Sequence, residues 1–224
     1  MNKSRLVVFS VKRFVARKPT FLFDFFLGYV IINSMNIHYK TLTENLLDKF
    51  EEYHSLLEVP INGIIWENLL FNCLSMQSDS VEWSYKSHKT GEDINFEGVG
   101  ISCKGGRLQG KNKDKLKISS YRSTRQKTLQ EKVDYFEDKH EDVYFCLCYE
   151  ETETEHKYKL YTFDSDILDY RNLKWEGWEG NGKFRAKIEK SMSDQLWLWL
   201  PTNLLNEQFE IEIKKSIIYN NVAV

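Results

Sequence analysis

Proline is scarce in this sequence, with three residues among 224, and no segment is of low complexity. Disordered and collagen-like chains have a very different composition, because 42% of the residues here are hydrophobic and 14% are aromatic. That apolar fraction is enough for a hydrophobic core. The length predicts one domain, or one domain with an appendage.

Cysteine is scarce as well, and the four cysteines form no CxxC pair. Neither a zinc site nor a disulfide framework is indicated, and reduced thiols in the cytoplasm fit best. The sequence also contains no P-loop, no GxSxG, no HExxH and no cysteine–histidine nucleophile constellation. It therefore carries no signature of a P-loop nucleotide-binding protein, a serine hydrolase or a zinc protease.

No apolar run has the roughly 20 residues that a membrane-spanning helix needs. The longest, Phe21 to Ile32, is interrupted by Asp24, and no signal-peptide cleavage site follows it. We therefore expect no association with a membrane. Residues 1–34 are either an extension outside the functional domain, with Met35 as an alternative start, or a strand-forming segment packed on a single domain of residues 35–224.

Two segments have the spacing of a capping box, in which a hydroxyl and a carboxylate three residues later bond free amides at a helix start. They begin at Thr41 and Thr128. The first helix is predicted to end at Pro60, and a second helix, capped by Asn62, is predicted over Gly63 to Met76.

Strands are predicted where polar and apolar residues alternate or where a short run is apolar on both faces. These segments are Asp93–Phe96, Ile101–Lys104, Val143–Tyr149, Tyr158–Phe163 and Phe209–Ile213. The third is apolar on both faces, as in a central strand that is covered on both sides. This order of elements predicts an α/β or α+β fold with a central mixed β-sheet flanked by helices.

The first two strands form a hairpin with two different faces. Side chains alternate along a strand, so Ile94 and Cys103 fall on a core face and Asp93, Ser102 and Lys104 on the other. With a four-residue loop from Glu97 to Gly100, Asp93 is expected directly opposite Lys104. This pair is either a solvated ion pair worth under about 1 kcal/mol or part of a functional site.

Glu67 is an unusual residue for its surroundings on the second predicted helix. Its neighbours on the helix include Ile64, Leu70 and Leu74, and an ionised carboxylate is costly to bury unless it is paired or binds a metal. A divalent cation shared with Asp93 would supply that partner. A bond to a lysine or arginine, or simple exposure, is the alternative.

The net charge of −2 hides a very uneven distribution. Residues 104–127 carry a net charge of +8, and residues 131–155 carry −8. The basic segment is interleaved with serine, threonine, tyrosine and glutamine, a mixture that binds phosphates and reads base edges. A solvated basic face is the alternative interpretation.

The spacing Asp93-x8-Ser102-x-Lys104, preceded by a helical Glu67 and followed by a basic segment, resembles the PD-(D/E)XK nuclease superfamily, particularly type II restriction endonucleases. The family has an acid where Ser102 stands and a proline where Glu92 stands. The resemblance implies a restriction-endonuclease-like fold with Asp93, Lys104 and Glu67 as catalytic residues and Ser102 between them.

As the resemblance implies, Mg²⁺ is held by Asp93, Glu67 and the backbone carbonyl of Cys103. The acid that compensates for Ser102 is expected to be Glu67, with Glu131 and Glu97 as other candidates.

The resemblance also implies sequence-specific hydrolysis of double-stranded DNA to a 5′-phosphate and a 3′-hydroxyl. A homodimer and a companion DNA methyltransferase, which is not bound, are implied too. Phosphate contacts are expected from Lys111, Lys113, Lys115 and Lys117. Base-reading contacts are expected from Ser119, Ser120, Arg122, Arg125 and Gln126, and Lys127 is a further DNA-binding residue.

Two other classes of function remain open at this point. One is a non-catalytic nucleic-acid-binding protein that uses residues 104–127 while Asp93 and Lys104 are structural. The other is an interaction module with a solvated basic loop.

Overall fold

The computed structural model describes residues 36–84, 93–123, 125–138, 142–168, 185–190 and 194–215. Residues 1–34, assigned above to an N-terminal extension, lie outside the described residues. The helices are α1 (Tyr39–Leu56), α2 (Gly63–Ser75) and α3 (Leu129–Glu137). The strands are β1 (Val81–Trp83), β2 (Ile94–Phe96), β3 (Val99–Gln109), β4 (Lys115–Ser123), β5 (Val143–Glu151), β6 (Glu155–Asp164), β7 (Arg185–Lys190), β8 (Asp194–Pro201) and β9 (Asn206–Lys214).

The nine described strands form one mixed sheet in the order β7-β8-β4-β3-β5-β6-β9, with β2 paired to β3 and β1 paired to β2. The pairing of β3 with β5 is parallel, and α3 lies in the connection between β4 and β5. The other pairings among the described strands are antiparallel. The predicted class, helices with a central mixed sheet, is confirmed at this level.

Each face of the sheet carries its own hydrophobic core. The first core joins α1 and α2 to residues of β2, β3, β5, β6 and β9. The second joins α3 to residues of β4, β5, β6 and β8. Strand β5 contributes Phe145 to the first core and Tyr144 and Cys146 to the second, which confirms the prediction of a central strand that is apolar on both faces.

The two predicted capping boxes have different outcomes. Thr128 accepts a hydrogen bond from the Glu131 backbone N–H, and the Glu131 carboxylate accepts one from the Thr128 N–H, so this box is confirmed. The prediction at Thr41 is wrong, because α1 already begins at Tyr39. A hydroxyl inside a helix can bond the carbonyl four residues earlier, as Thr43 Oγ1 does with the Tyr39 oxygen at 2.8 Å.

One further helix boundary differs from the prediction, and one predicted capping bond is absent. Helix α1 ends at Leu56, four residues before Pro60, and the buried His54 ring lies 3.0 Å from the Leu57 carbonyl just beyond its end. Helix α2 begins after Asn62 as expected, but Asn62 makes no side-chain capping bond.

Strand β4 lies in the segment that was interpreted only as a basic run. Its apolar residues Leu116 and Ile118 are buried in the second core, while the lysines between them face the other way. Within the described part of the chain, none of the helices is long and apolar enough to cross a membrane.

Candidate functional site

The β2–β3 hairpin turns through two residues, Glu97 and Gly98, both with positive φ, at 52° and 88°. Such turns match the twist of antiparallel strands, and a glycine in the second position favours them. Phe96 consequently pairs with Val99, so the predicted four-residue loop from Glu97 to Gly100 is wrong and the register is shifted by two residues. An even shift keeps every side chain on its expected face.

The corrected register places Asp93 beside Ser102 rather than opposite Lys104. Asp93 Oδ2 accepts a hydrogen bond from the Cys103 backbone N–H at 2.7 Å, and Ser102 Oγ lies 3.5 Å from the same oxygen. Lys104 Nζ lies 3.6 Å from it. The Asp93 and Lys104 side chains are 24% and 17% exposed, so this ion pair is well sheltered from solvent.

The Asp93 carboxylate occupies a gap between two neighbours of β3. Strand β3 pairs with β2 at Val99–Ile101 and with β4 only from Gly106 onward. Because the N–H and C=O of one strand residue point to the same edge, the carbonyl of Cys103 points into this gap beside Asp93. The Cys103 thiol belongs to the first core, and burial raises its pKa well above the ordinary value, with Asp93 adding to the shift.

Glu67 of α2 is partly buried beside the same gap. Burial raises the pKa of Glu67, and the Asp93 carboxylate raises it further, whereas Lys104 and a hydrogen bond with the Trp83 side chain act in the opposite direction. Glu67 is thus close enough to Asp93 and Lys104 for both charges to act on its carboxyl group, and Asp93 and Lys104 themselves form an ion pair. Of the two charges that act on Glu67, that of Lys104 is attractive and that of Asp93 is repulsive.

Neither of the other acids considered as replacements for an acid at Ser102 joins this cluster. Glu131 accepts hydrogen bonds from the Lys127 and Thr128 backbone N–H groups at 2.6 and 3.2 Å, which lower the pKa of Glu131. Glu97 is exposed in the hairpin turn. Ser102 itself is fully buried.

The oxygen donors at the gap fit a magnesium ion in their chemistry. They are the two carboxylates, Asp93 and Glu67, and the Cys103 carbonyl. Mg²⁺ prefers oxygen ligands, commonly uses one or two carboxylates and keeps several waters. Among the described residues, no three histidine, cysteine, aspartate or glutamate side chains are grouped closely enough to hold a metal by themselves. A metal here would depend on the carbonyl and on water.

The residues expected to contact DNA do not form one continuous surface. Lys111 and Lys113 are exposed in the β3–β4 turn, and Lys113 forms an ion pair with Glu150. Lys115, Lys117 and Ser119 share one face of β4, opposite its buried leucine and isoleucine.

The rest of the basic segment follows a β-bulge in β4 between Ser119 and Arg122. Arg122 is exposed and Ser120 is partly buried. In the loop before α3, Arg125 and Lys127 are exposed, and the side-chain oxygen of Gln126, Oε1, accepts a hydrogen bond from the Ser123 hydroxyl at 2.9 Å. The expected base-reading residues are thus divided between the end of β4 and this loop.

Two aromatic residues beside the basic face were not assigned to it from the sequence. Trp197 and Trp199 of β8 pair in register with Ser119 and Lys117 of β4. The Lys117 ammonium group lies 4.3 Å from the Trp197 ring centroid and 4.9 Å from that of Trp199. The alternation of tryptophan and leucine in residues 196–200 is the signal that could have found this face.

Comparison of the chain with models of protein families, with curated proteins and with solved structures finds no match in any of the three.

Proposed function

We propose that this chain is a magnesium-dependent nuclease that hydrolyses phosphodiester bonds of double-stranded DNA, in the manner of a type II restriction endonuclease. The observation that carries the proposal is the meeting of Glu67, Asp93 and Lys104 at one gap in the sheet. They come from a helix and two neighbouring strand segments, and the pKa of Glu67 responds to both of the other residues.

The roles follow from the geometry of the gap. Asp93, Glu67 and the Cys103 carbonyl are the residues that would hold Mg²⁺, which supplies Lewis acidity and a bound water of lowered pKa. The Cys103 N–H fixes the Asp93 carboxylate by its 2.7 Å hydrogen bond, so one carboxylate oxygen is already oriented.

Lys104 supplies the positive charge of the site. Its side chain is only 17% exposed and its ammonium group lies 3.6 Å from Asp93, so it is positioned without a large loss of side-chain freedom on substrate binding. It stabilises the negative charge that accumulates on the phosphate oxygens and orients the attacking water. Such pre-positioned charges commonly contribute two to three orders of magnitude in rate.

The substrate is assigned from the exposed cations of the basic segment. Exposed Lys111, Arg122, Arg125 and Lys127 provide sequence-independent phosphate contacts, and Arg122 and Arg125 suit guanine in the major groove. Cleavage of both strands of a palindromic site requires a twofold homodimer with one site per strand.

The experiment is incubation of the full chain with plasmid DNA with and without Mg²⁺, beside the variants Asp93→Asn and Lys104→Met. Both should lose at least a hundredfold in cleavage rate. Glu97→Gln is the matched control, because Glu97 lies in the same hairpin but in its exposed turn. Equal cleavage by all four proteins would remove the assignment of the site.

A second function is favoured by Ser102, which is fully buried where the family has an acid. A non-catalytic nucleic-acid-binding protein would keep the Asp93–Lys104 ion pair as a structural contact. It would bind the same plasmid equally with and without Mg²⁺ and would leave it intact in all four proteins.

A further inference from the structure

Strands β3, β4 and β8 form a further surface, on the side of the sheet that faces away from the second core. The buried apolar residues of β4 and β8 point into the second core. The other face of these strands is partly or fully exposed and carries Arg107, Lys115, Lys117, Trp197 and Trp199. We call these five residues the tryptophan–lysine face.

The register of the sheet brings these residues together. Lys117 lies opposite Arg107 on β3 and opposite Trp199 on β8. Trp197 and Trp199 are two positions apart on one strand, so their Cα atoms lie about 7 Å apart and their side chains are on the same face. Each tryptophan therefore presents its own ring beside a row of cations.

Local contacts hold the two tryptophans in place. Trp199 Nε1 donates a hydrogen bond to Gln109 Oε1 at 2.9 Å. Lys117 Nζ lies within cation–π distance of both rings, at 4.3 and 4.9 Å. Arg107 lies on the opposite side of β3 from Lys104, because side chains alternate along a strand and the two residues are three positions apart.

We propose that the tryptophan–lysine face binds single-stranded nucleic acid, with unpaired bases stacked on Trp197 and Trp199 and phosphates bound by Arg107, Lys115 and Lys117. Aromatic side chains beside a row of cations are the arrangement by which proteins bind unpaired strands without sequence preference. A stack of paired bases in a duplex cannot offer its base faces to the rings, so the occupant is single-stranded.

Lys117 contacts both tryptophan rings and is also one of the three cations proposed to bind phosphate. In the free protein its ammonium group lies against the rings, a contact that is weak at an exposed site when compared with the stacking of a base. A phosphate attracts the same ammonium group, and its movement leaves ring surface for a base. Binding therefore exchanges a cation–π contact for a stacked base and an ion pair.

The test measures tryptophan fluorescence during titration with a 15-nucleotide oligothymidylate in EDTA, so that no cleavage occurs. We expect quenching by the single strand, weaker quenching by a duplex of equal length, and a log–log salt slope near −2 for three phosphate contacts. An oligouridylate in parallel distinguishes DNA from RNA as the preferred strand. Equal quenching by duplex and single strand would overturn the proposal.

Variants separate stacking from charge. Trp197→Leu and Trp199→Leu should each weaken binding about 10- to 100-fold, whereas Trp197→Phe, which keeps an aromatic ring, should retain most of the affinity. Lys117→Gln should reduce the magnitude of the salt slope by about 0.7. Lys214→Gln, an exposed lysine on β9, is the control and should change neither quantity beyond the loss of a remote charge.

Failure of single-strand binding can be distinguished from failure of the proposed nuclease function. Asp93→Asn should bind the single strand as the wild type does, whether or not the wild type cleaves DNA. If Trp199→Leu, Trp197→Leu and Trp197→Phe all bind the oligothymidylate as tightly as Lys214→Gln, the tryptophan–lysine face is not a nucleic-acid-binding surface, even if plasmid is cleaved.

Discussion

The carboxylate of Asp93 accepts a hydrogen bond of 2.7 Å from the backbone N–H of Cys103, at the point where β3 has separated from β2 and has not yet paired with β4. This bond satisfies a backbone donor that strand pairing leaves free. It also fixes a charged oxygen next to the Cys103 carbonyl. The Asp93 side chain therefore does two things. It satisfies a free backbone N–H in the gap, and its carboxylate is held in a fixed orientation as a candidate metal ligand.

Replacing Asp93 by alanine should therefore destabilise the protein as well as remove a ligand. The Cys103 N–H would lose a charge-assisted bond, and such bonds contribute about 1.5–3 kcal/mol. Lys104 would also lose its ion-pair partner. Urea unfolding should show a lower free energy of unfolding for Asp93→Ala, and a smaller loss for Asp93→Asn, whose amide oxygen still accepts the bond. A stability of Asp93→Ala equal to that of the wild type would contradict the importance of this contact.

The effect of Glu67→Gln on the free energy of unfolding should have opposite signs with and without a divalent cation. Burial and the charge of Asp93 raise the pKa of Glu67. At a pH above the ordinary carboxyl pKa, the ionised Glu67 therefore lowers the stability of the folded protein, whereas a neutral glutamine does not. In EDTA at pH 7 the variant should therefore unfold at a higher urea concentration than the wild type.

With Mg²⁺ the order should change. Binding to the folded state alone would stabilise the wild type by about 2.7 kcal/mol at 100 times the dissociation constant, and the Glu67→Gln variant by much less. Equal shifts of the unfolding midpoint by Mg²⁺ in both proteins would show that Glu67 is not a ligand.

Two neighbouring glycines on β3 should respond differently to alanine. A Cβ at Gly106 would lie 2.6 Å from Leu116 Cδ1 and 3.1 Å from Cys148 Sγ, whereas one at Gly105 would meet nothing within 4 Å. Gly106→Ala should lower the free energy of unfolding by about 1–3 kcal/mol through overpacking. Gly105→Ala is the matched control and should be within about 0.5 kcal/mol of the wild type. Thermal or urea unfolding of both variants measures the two changes. A larger loss of stability for Gly105→Ala than for Gly106→Ala would contradict the close packing of Gly106 against Leu116 and Cys148.

Acid should destabilise the protein through a buried histidine pair. The rings of His54 and His156 stack with centroids 4.1 Å apart, and His54 Nε2 contacts the Tyr158 hydroxyl at 2.9 Å. Burial and, secondarily, His156 lower the pKa of His54 to about 4, and burial and Lys215 lower the pKa of His156, while Glu151 and Glu58 oppose that shift.

The sign of the pH effect follows from these directions. The unfolded chain binds protons at the ordinary histidine pKa of about 6.5, whereas the folded chain resists protonation until about pH 4. Stability is therefore complete above pH 6.5 and falls between pH 6.5 and 4, by about 2–3 kcal/mol for His54. His54→Gln should flatten this dependence in urea unfolding, and His38→Gln, at an exposed position before α1, should leave it unchanged.

Local patterns in the sequence were sufficient for several parts of the fold. The capping box at Thr128, the central strand and the two faces of the β2–β3 hairpin all depend on neighbouring residues or on simple alternation. The electrostatic influence of Asp93 on Glu67 agrees with the expectation that a carboxylate on an apolar helix lies near other charged groups, whereas a shared cation stays a prediction. Residues close in sequence or linked by a physical requirement can be placed in this way.

Other features required information that a single segment does not contain. The hairpin register depended on whether two or four residues form the turn, and both choices keep Asp93 on the same face. Strand β4 was missed because its charged residues hid the buried Leu116 and Ile118, whose burial depends on α3 and β8. The position of Trp197 beside Lys117 likewise depends on long-range strand pairing.

The most direct test of the central claim is cleavage of long duplex DNA by the full chain with and without Mg²⁺, beside Lys104→Met. We predict Mg²⁺-dependent cleavage by the wild type and at least a hundredfold slower cleavage by the variant, with similar DNA binding in EDTA by both. Intact DNA with the wild type in Mg²⁺, or equal cleavage by Lys104→Met, would contradict it.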